Sequence, residues 1–341
     1  MSKVTEYLVV STPKIRSALR IIACVMAATT PMVVPAADSY PSKPVRIIVP
    51  YPAGGMIDTT ARAVAKGLAL RLGKPVVVEN KPGASGIIGT DYVAKASPDG
   101  YTLLMTLSTP ITANVALYRK LPYDPRTDLR AVSDIATSPG VLVVSNSLPV
   151  KSVSELISYA KNNPQKLRMG SWGLGSSPHL LQTYLNKTYG TDILHVPYKG
   201  EAPLILELLS GQINVAIGST SSLRQHIAAG KIRPLAVLGS RRLKALPDVP
   251  SMVESGYSDT PFQVLTLTPT TLMTPAKTPP EILSKVGREV SSVVGSPVLQ
   301  KMFEESGQEP LGNTPQQAQM AYQTYLPVIL KLTADTGVTL D

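Results

Sequence analysis

From Val45 onward the chain alternates short apolar runs with stretches whose apolar residues recur three and four positions apart. The run "VRIIV" leads to a helical pattern from Met56 to Leu72, closed by Gly73. "PVVVEN" leads through "KPGASG" to a second helical pattern from Gly86 to Ala96, and the turn "SPDG" returns the chain to "YTLLMT". Such an order predicts βαβαβ, hence a parallel sheet with right-handed crossovers.

A second series starts near Val141. "VLVVS" precedes a helix opened by Ser152-Val153-Ser154-Glu155, a capping-box pattern. "LRMGS", a Gly/Ser-rich loop, a helix from Pro178 to Tyr189, "ILHVPY", a helix ending before Gly211, "NVAIGS", a helix to Gly230 and "PLAVLG" complete a second α/β unit. After Gly239 the stretch "SRRLKALPDVPSMVESGYSDTP" reads as surface loop, "VLTLT" as a strand, and helical patterns span Pro280 to Val294, Pro297 to Ser306 and Pro315 to Ala334. One strand and three helices are too few for a third domain and are expected to complete the first. The expected organisation is a leader over 1–37, a discontinuous first lobe of 38–140 plus 264–341, and a second lobe of 141–263. Two lobes joined by two crossings can close on a ligand.

Two strand-to-helix junctions carry the candidate chemistry. In "PYPAGGMID" the glycines allow a ligand close to the main chain, and a helix start offers unpartnered N–H groups with partial positive charge. With Gly55 as N-cap, Asp58 falls at the third helical position, where it can bond the free amides of the cap or reach the ligand directly or through water; both roles stay open. The second junction, "GSWGLGSSPHL", offers the hydroxyls of Ser171, Ser176 and Ser177 and the amides of Gly173 and Gly175. Pro178 stands where a dinucleotide fingerprint needs its third glycine. Trp172, the sole tryptophan, is either a packing plug or a contact for an apolar part of a ligand, and Tyr51 and Tyr198 invite the same two readings.

Composition narrows the options. The chain has 341 residues, 43% hydrophobic and 16% charged, with a net charge of +10. Lys3, Lys14, Arg16 and Arg20 against Glu6 give +3 of this, and the remaining basic residues are scattered with few aromatics between them, so no nucleic-acid partner is expected. The basic start, the apolar "IIACVMAATTPMVV" and the small residues of "PAAD" read as an export signal cleaved near Ala36 or Ala37. Cys24, the only cysteine, lies within it, on the wrong side of the apolar region for a lipidation signal. His179, His195 and His226 show no HExxH spacing, and no GxSxG elbow is present, so neither a metal site, a cofactor nor a serine-hydrolase centre is expected. His179 is expected to support its loop, and His195 to sit at a strand end.

The stretches "YPSKPVRIIVPYPAGGMIDTTAR", "VVVENKPGASGIIGTDYVAKASPDGYTLL", "LPYDPRTDL", "GSWGLGSSPHL", "HVPYKG", "LLSGQIN" and "GKIRPLAVLGSRRLKALPDVPSMVESGY" together resemble the substrate-binding proteins of tripartite tricarboxylate transporters, the Bug family. The resemblance covers roughly residues 40 to 335. It implies a type II periplasmic binding protein fold, two α/β lobes with a hinge and an interlobe cleft. It also implies a periplasmic receptor that delivers a small organic carboxylate to integral-membrane transporter subunits; independently of the resemblance, a monomer is expected. Carried over, the ligand contacts fall on Tyr51, Ala53, Gly54, Gly55 and Asp58 of the first lobe and on Ser171, Gly173, Gly175, Ser176, His179 and Tyr198 of the second. Neither loop supplies Lys or Arg to the ligand, in line with amide-based recognition. The alternative role is a sensor component that presents ligand to a membrane kinase. This sequence departs from the family pattern in having apolar Met56 and Ile57, bulky Trp172 and Leu174, and no histidine in "STPITANVALY". These changes predict a less polar cleft that favours a monocarboxylate with an aromatic or aliphatic body over citrate.

Overall fold

The computed structural model describes residues 40–265 and 269–341. The predicted export signal and its cleavage site lie outside the described residues. The chain divides into the unit 1–42 and the unit 43–341, and both sheets belong to the latter.

β1 (Val45–Val49), α1 (Met56–Leu72), β2 (Val76–Asn80), α2 (Ile87–Ala94) and β3 (Thr102–Thr106) follow in the predicted order, with α3 (Ala113–Leu117) and α4 (Pro125–Asp128) as short connecting turns of helix. β1 lies between β2 and β3 and is parallel to both, with Ile47 opposite Val78 and Leu103. Ile47, Ile48 and Val49 are all fully buried, which is why β1 reads as a continuous apolar run and not as an alternation. α1 buries Ile57, Ala61, Val64, Ala65 and Leu68, and ends at Gly73 in a left-handed conformation (φ 66°) whose N–H bonds the Ala69 carbonyl.

β4 (Leu129–Thr137) then joins the same sheet, although its sequence does not announce a strand. Apart from the exposed Arg130, its polar residues are buried and paired. The Asp134 carboxylate accepts from Thr271 Oγ1 at 2.7 Å and Asn313 Nδ2 at 2.9 Å, and burial raises its pKa.

The second sheet is built by β5 (Val141–Ser145), α5 (Val153–Asn162), β6 (Arg168–Ser171), α6 (Ser177–Tyr189), β7 (Leu194–Pro197), α7 (Glu201–Ser210), β8 (Val215–Gly218), α8 (Thr220–Ala228) and β9 (Ile232–Val237). Its order is β7-β6-β8-β5-β9, with β6 parallel to β7 and β8, and β5 antiparallel to β8 and β9. Ser152 Oγ caps α5 by accepting from Glu155 N–H, while the Glu155 carboxylate turns back to the amide of Lys151, one residue before the cap.

Two expectations need correction. The stretch after Gly239 is not a plain surface loop: Leu243, Leu246, Val249 and Met252 are buried, and Met252 and Pro250 hydrogen-bond the backbone of Val237. The hydrophobic residues scattered among its prolines and charges cover the edge of β9. The strand expected at "VLTLT" is described only at Val264 and Leu265, which do not form one. Val264 closes the short helix α9 (Thr260–Val264), opened by Pro261 in its first turn, and the strand is β10 (Thr270–Pro275), buried along its whole length. Thr266–Thr268 lie outside the described residues.

β10 runs antiparallel between β3 and β4, and α10 (Pro280–Val294), α11 (Pro297–Glu305), β11 (Glu309–Pro310) and α12 (Pro315–Asp335) complete the first sheet's side, in the order β11-β4-β10-β3-β1-β2. The chain thus passes from one sheet to the other after β4 and returns before β10. One apolar cluster bridges the two: Leu180, Leu181 and Leu185 of α6 belong to the same core as Leu117 of α3 and Tyr322, Tyr325 and Ile329 of α12.

Candidate functional site

Where β1, β3, β6, β7 and β8 end, the chain turns at once into a helix or a 3-10 turn, and these turns enclose a cleft of about 360 Å³. Small-molecule sites typically span about 300–1,000 Å³. Met56, Leu107, Ser108, Thr109 and Thr112 line it from the first sheet's side. Trp172, Gly175, Ser176, Ser177, Leu180, Gly200, Glu201, Gly218 and Ser219 line it from the second. Ser138 and Gly140 of the crossing and Ile329 of α12 close it. Among the described residues no lysine or arginine lines this cleft, and Glu201 is its one formally charged side chain. A larger groove of about 820 Å³ beside α8 and α11 is different in kind: Arg224, Arg241, Lys244 and Lys301 line it with Glu304 and Glu309.

Among the described residues, four helices of nine or more residues begin at the cleft. α1 starts at Met56 behind its N-cap Gly55, α6 at Ser177 behind Ser176, α7 at Glu201 behind Gly200, and α8 at Thr220 behind Ser219. The first-turn N–H groups of a helix have no partner within it and carry the positive end of the dipole. A cleft built in this way attracts an anion without a cationic side chain.

The first loop is held from outside. Asp58 is buried, and its two oxygens take four hydrogen bonds: from Gly54 N–H at 2.9 Å, Arg62 Nε and Nη2 at 3.0 Å each, and Asn80 Nδ2 at 2.9 Å. The Arg62 guanidinium, followed by the Gly54 amide, lowers the Asp58 pKa to about 2. Asp58 makes the loop-fixing bond expected of its position, to the Gly54 amide, alongside those from Arg62 and Asn80. Asn80 also donates to the Tyr51 carbonyl at 3.1 Å. The Tyr51 hydroxyl lies 3.5 Å from Thr106 Oγ1, and burial pushes its pKa up to about 12. Ala53, Gly54 and Gly55 form the exposed tip of the turn, with Gly54 at φ 84°.

The second loop holds itself. Gly175 N–H donates to His179 Nδ1 at 3.1 Å, so that nitrogen is unprotonated and the Gly175 amide is already used. The His179 ring stacks on His195 with centroids 4.0 Å apart and planes 18° apart, and His195 Nε2 lies 2.6 Å from Ser171 Oγ. Burial, and next the neighbouring His195, lower the His179 pKa to about 4; burial also lowers that of His195. Ser171 is fully buried and bonds both backbone groups of Gly173, and Ser176 Oγ donates to the Gly173 carbonyl at 2.6 Å. Gly175 has φ 70°, and a Cβ there would stand 2.6 Å from Leu117 Cδ1, so only glycine suits this close approach to α3.

Of the residues expected at the site, Gly175 and Ser176 reach the cleft wall, next to Trp172 and Ser177. Ser171 and His179 shape the loop from behind. Tyr198 donates its N–H to the Ser171 carbonyl at 2.8 Å, while its ring packs on the apolar cluster of Val143, Leu204 and Ile213, outside the cleft. The expectation missed Thr109, Thr112, Gly200, Glu201, Gly218 and Ser219. The last four obey the same signal as the first two loops, a strand run giving way to a helix through glycine or serine.

Two α/β lobes with a cleft at the strand ends between them define a solute-binding protein of the type II periplasmic class. The chain matches the family model described as "tripartite tricarboxylate transporter family receptor" over residues 60–326, and it belongs to that family. It is similar to the protein BugT of Bordetella pertussis, 36% identical over 285 residues that cover 82% of this chain and 85% of the relative. Among solved structures it is similar to R. palustris Rpa4515 with adipate, with 35% identity, a TM-score of 0.73 and coverage of 88% of this chain and 99% of that one. It is likewise similar to MatC from Rhodopseudomonas palustris with bound malate, with 28% identity, a TM-score of 0.68 and coverage of 86% and 100%.

Proposed function

We propose that this chain is a periplasmic receptor that captures a small organic carboxylate in the described cleft and hands it to integral-membrane transporter subunits. One observation carries the reading: in a member of this receptor family, the starts of four longer helices face a cleft that, among the described residues, no lysine or arginine lines. The first-turn amides of α1 and α6 hold the carboxylate, and Met56, Trp172, Leu180 and Ile329 receive an apolar body. Ala53, Gly54 and Gly55 reach the ligand only as the lobes close. Residues 38–140 with 264–341 form one lobe and 141–263 the other, and ligand binding shifts the open–closed equilibrium that the membrane subunits sense. The mature chain acts as a monomer, after removal of its leader near Ala36 or Ala37.

The receptor carries out no chemistry. Ser176 Oγ is engaged by Gly173, His179 Nδ1 is engaged by Gly175, and the Ser171–His195 pair is closed off by the burial of Ser171. The test is a thermal-shift screen of mature protein, unfolded and refolded to remove co-purified ligand, against organic acids. An acid at 100 times its dissociation constant adds about 2.7 kcal/mol of stability. Stabilisation by apolar-bodied acids more than by citrate supports the reading. Stabilisation by organic cations but by no acid contradicts it.

A further inference from the structure

Glu201 is out of place in a cleft for anions, and its bonding explains why it is there. It is the first residue of α7, and its carboxylate accepts the N–H of Ser219, the N-cap of α8, and Ser219 Oγ at 3.1 Å. A Cβ on Gly218 would stand 3.0 Å from Glu201 Oε1. Glu201, Gly218 and Ser219 all line the cleft. The amide and hydroxyl of Ser219, which lead into α8 and would otherwise suit a carboxylate of the ligand, are therefore taken by a carboxylate of the protein itself.

We infer that Glu201 restricts this receptor to acids with a single carboxylate. The inference rests on the carboxylate reading above and names the selectivity element within it. Among the described residues no cationic side chain lines the cleft to neutralise Glu201, so a second ligand carboxylate placed beside it would meet a like charge. It would also find the Ser219 amide already taken. An uncompensated charge placed against the wrong ligand is a recognised route to specificity. The ligand's own carboxylate keeps the starts of α1 and α6, and its other end faces Met56 and Trp172. This sets the chain apart from Rpa4515 and MatC, whose structures hold the diacids adipate and malate.

Matched acids test this directly. Calorimetric titrations of refolded mature protein would compare hexanoate with adipate and benzoate with terephthalate, in wild type and in Glu201→Gln, which keeps an acceptor for Ser219. The monoacid of at least one pair is expected to bind wild type about tenfold or more tightly than its diacid, and Glu201→Gln to narrow that ratio by about tenfold, chiefly by strengthening the diacid. Equal or tighter binding of both diacids to wild type overturns the role of Glu201 and leaves the carboxylate reading intact. So does a ratio that Glu201→Gln does not change. The wild-type ratio decides alone should the variant not fold. Binding of none of the four acids overturns the carboxylate reading and this inference together.

Discussion

The turn at Tyr51–Asp58 and the turn at Gly170–His179 do the same task by opposite means. Each carries a chain from the end of a buried strand into a helix whose first amides are left free. The first is an exposed tip held by a charged clamp, Asp58 with Arg62 and Asn80. The second is a folded loop held by neutral groups, the stacked His179 and His195 with Ser171 and Gly173. Both solutions are electrically balanced: the acid of the first is paired with its arginine, and the histidines of the second are uncharged. Neither loop brings net charge to the cleft, and the attraction for an anion is left to helix starts.

The glycines of the two turns offer the sharpest contrast. Gly175→Ala puts a Cβ into Leu117 at a positive φ, so strain and overpacking together are expected to cost about 2–4 kcal/mol of stability and to wedge the cleft. Gly54→Ala, also at positive φ but with open space around it, is expected to cost about 1–2 kcal/mol. Denaturant titrations of both variants measure the difference, and equal losses would break the contrast.

Acid separates the two clamps. The His179 pKa is about 4 in the folded protein against an ordinary value of 6.5, so protons favour the unfolded chain: this contribution is full above about 6.5 and is lost as pH falls toward 4. The Asp58 pKa is about 2 against 3.8, so its contribution persists to about 3.8 and is lost as pH falls toward 2. Ligand affinity and melting temperature are therefore expected to fall first through the window of the second loop. His179→Gln is expected to flatten that first fall and leave the lower one in place.

Removing the first clamp has a smaller effect. Asp58→Asn weakens the bonds from Gly54 and Arg62 and is expected to cost about 1 kcal/mol, within the range for loss of a capping side chain, with a matching drop in affinity read by calorimetry. Tyr198→Phe is expected to change stability by less than about 0.5 kcal/mol and to leave affinity unchanged, because its ring packs outside the cleft.

The same two turns show how far the sequence speaks for itself. Paired glycines and a Gly/Ser cluster between strand and helix mark both positions, and the Met56–Leu72 helix follows from its periodicity and from Gly73. The burial of Asp58 against Arg62 and Asn80, and the use of the Gly175 amide by His179, depend on which rotamer each side chain adopts; residue types alone do not reveal this. Gly200-Glu201 and Gly218-Ser219 carry the same junction signal in a weaker form, a single glycine, and so look like ordinary turns. β4 is hidden for a different reason. Ser133, Asp134 and Thr137 interrupt its apolar run, and the partners that let Asp134 be buried, Thr271 and Asn313, lie more than 130 residues further along the chain. Ile329 reaches the cleft from a helix that only the return crossing brings there.

A crystal structure of the receptor with its acid bound is the most direct measurement. The expected result is carboxylate oxygens within hydrogen-bond distance of the amides that open α1 and α6, with no lysine or arginine within 4 Å, the ordinary ion-pair distance. A carboxylate paired to a cationic side chain, or seated away from both turns, would contradict the account.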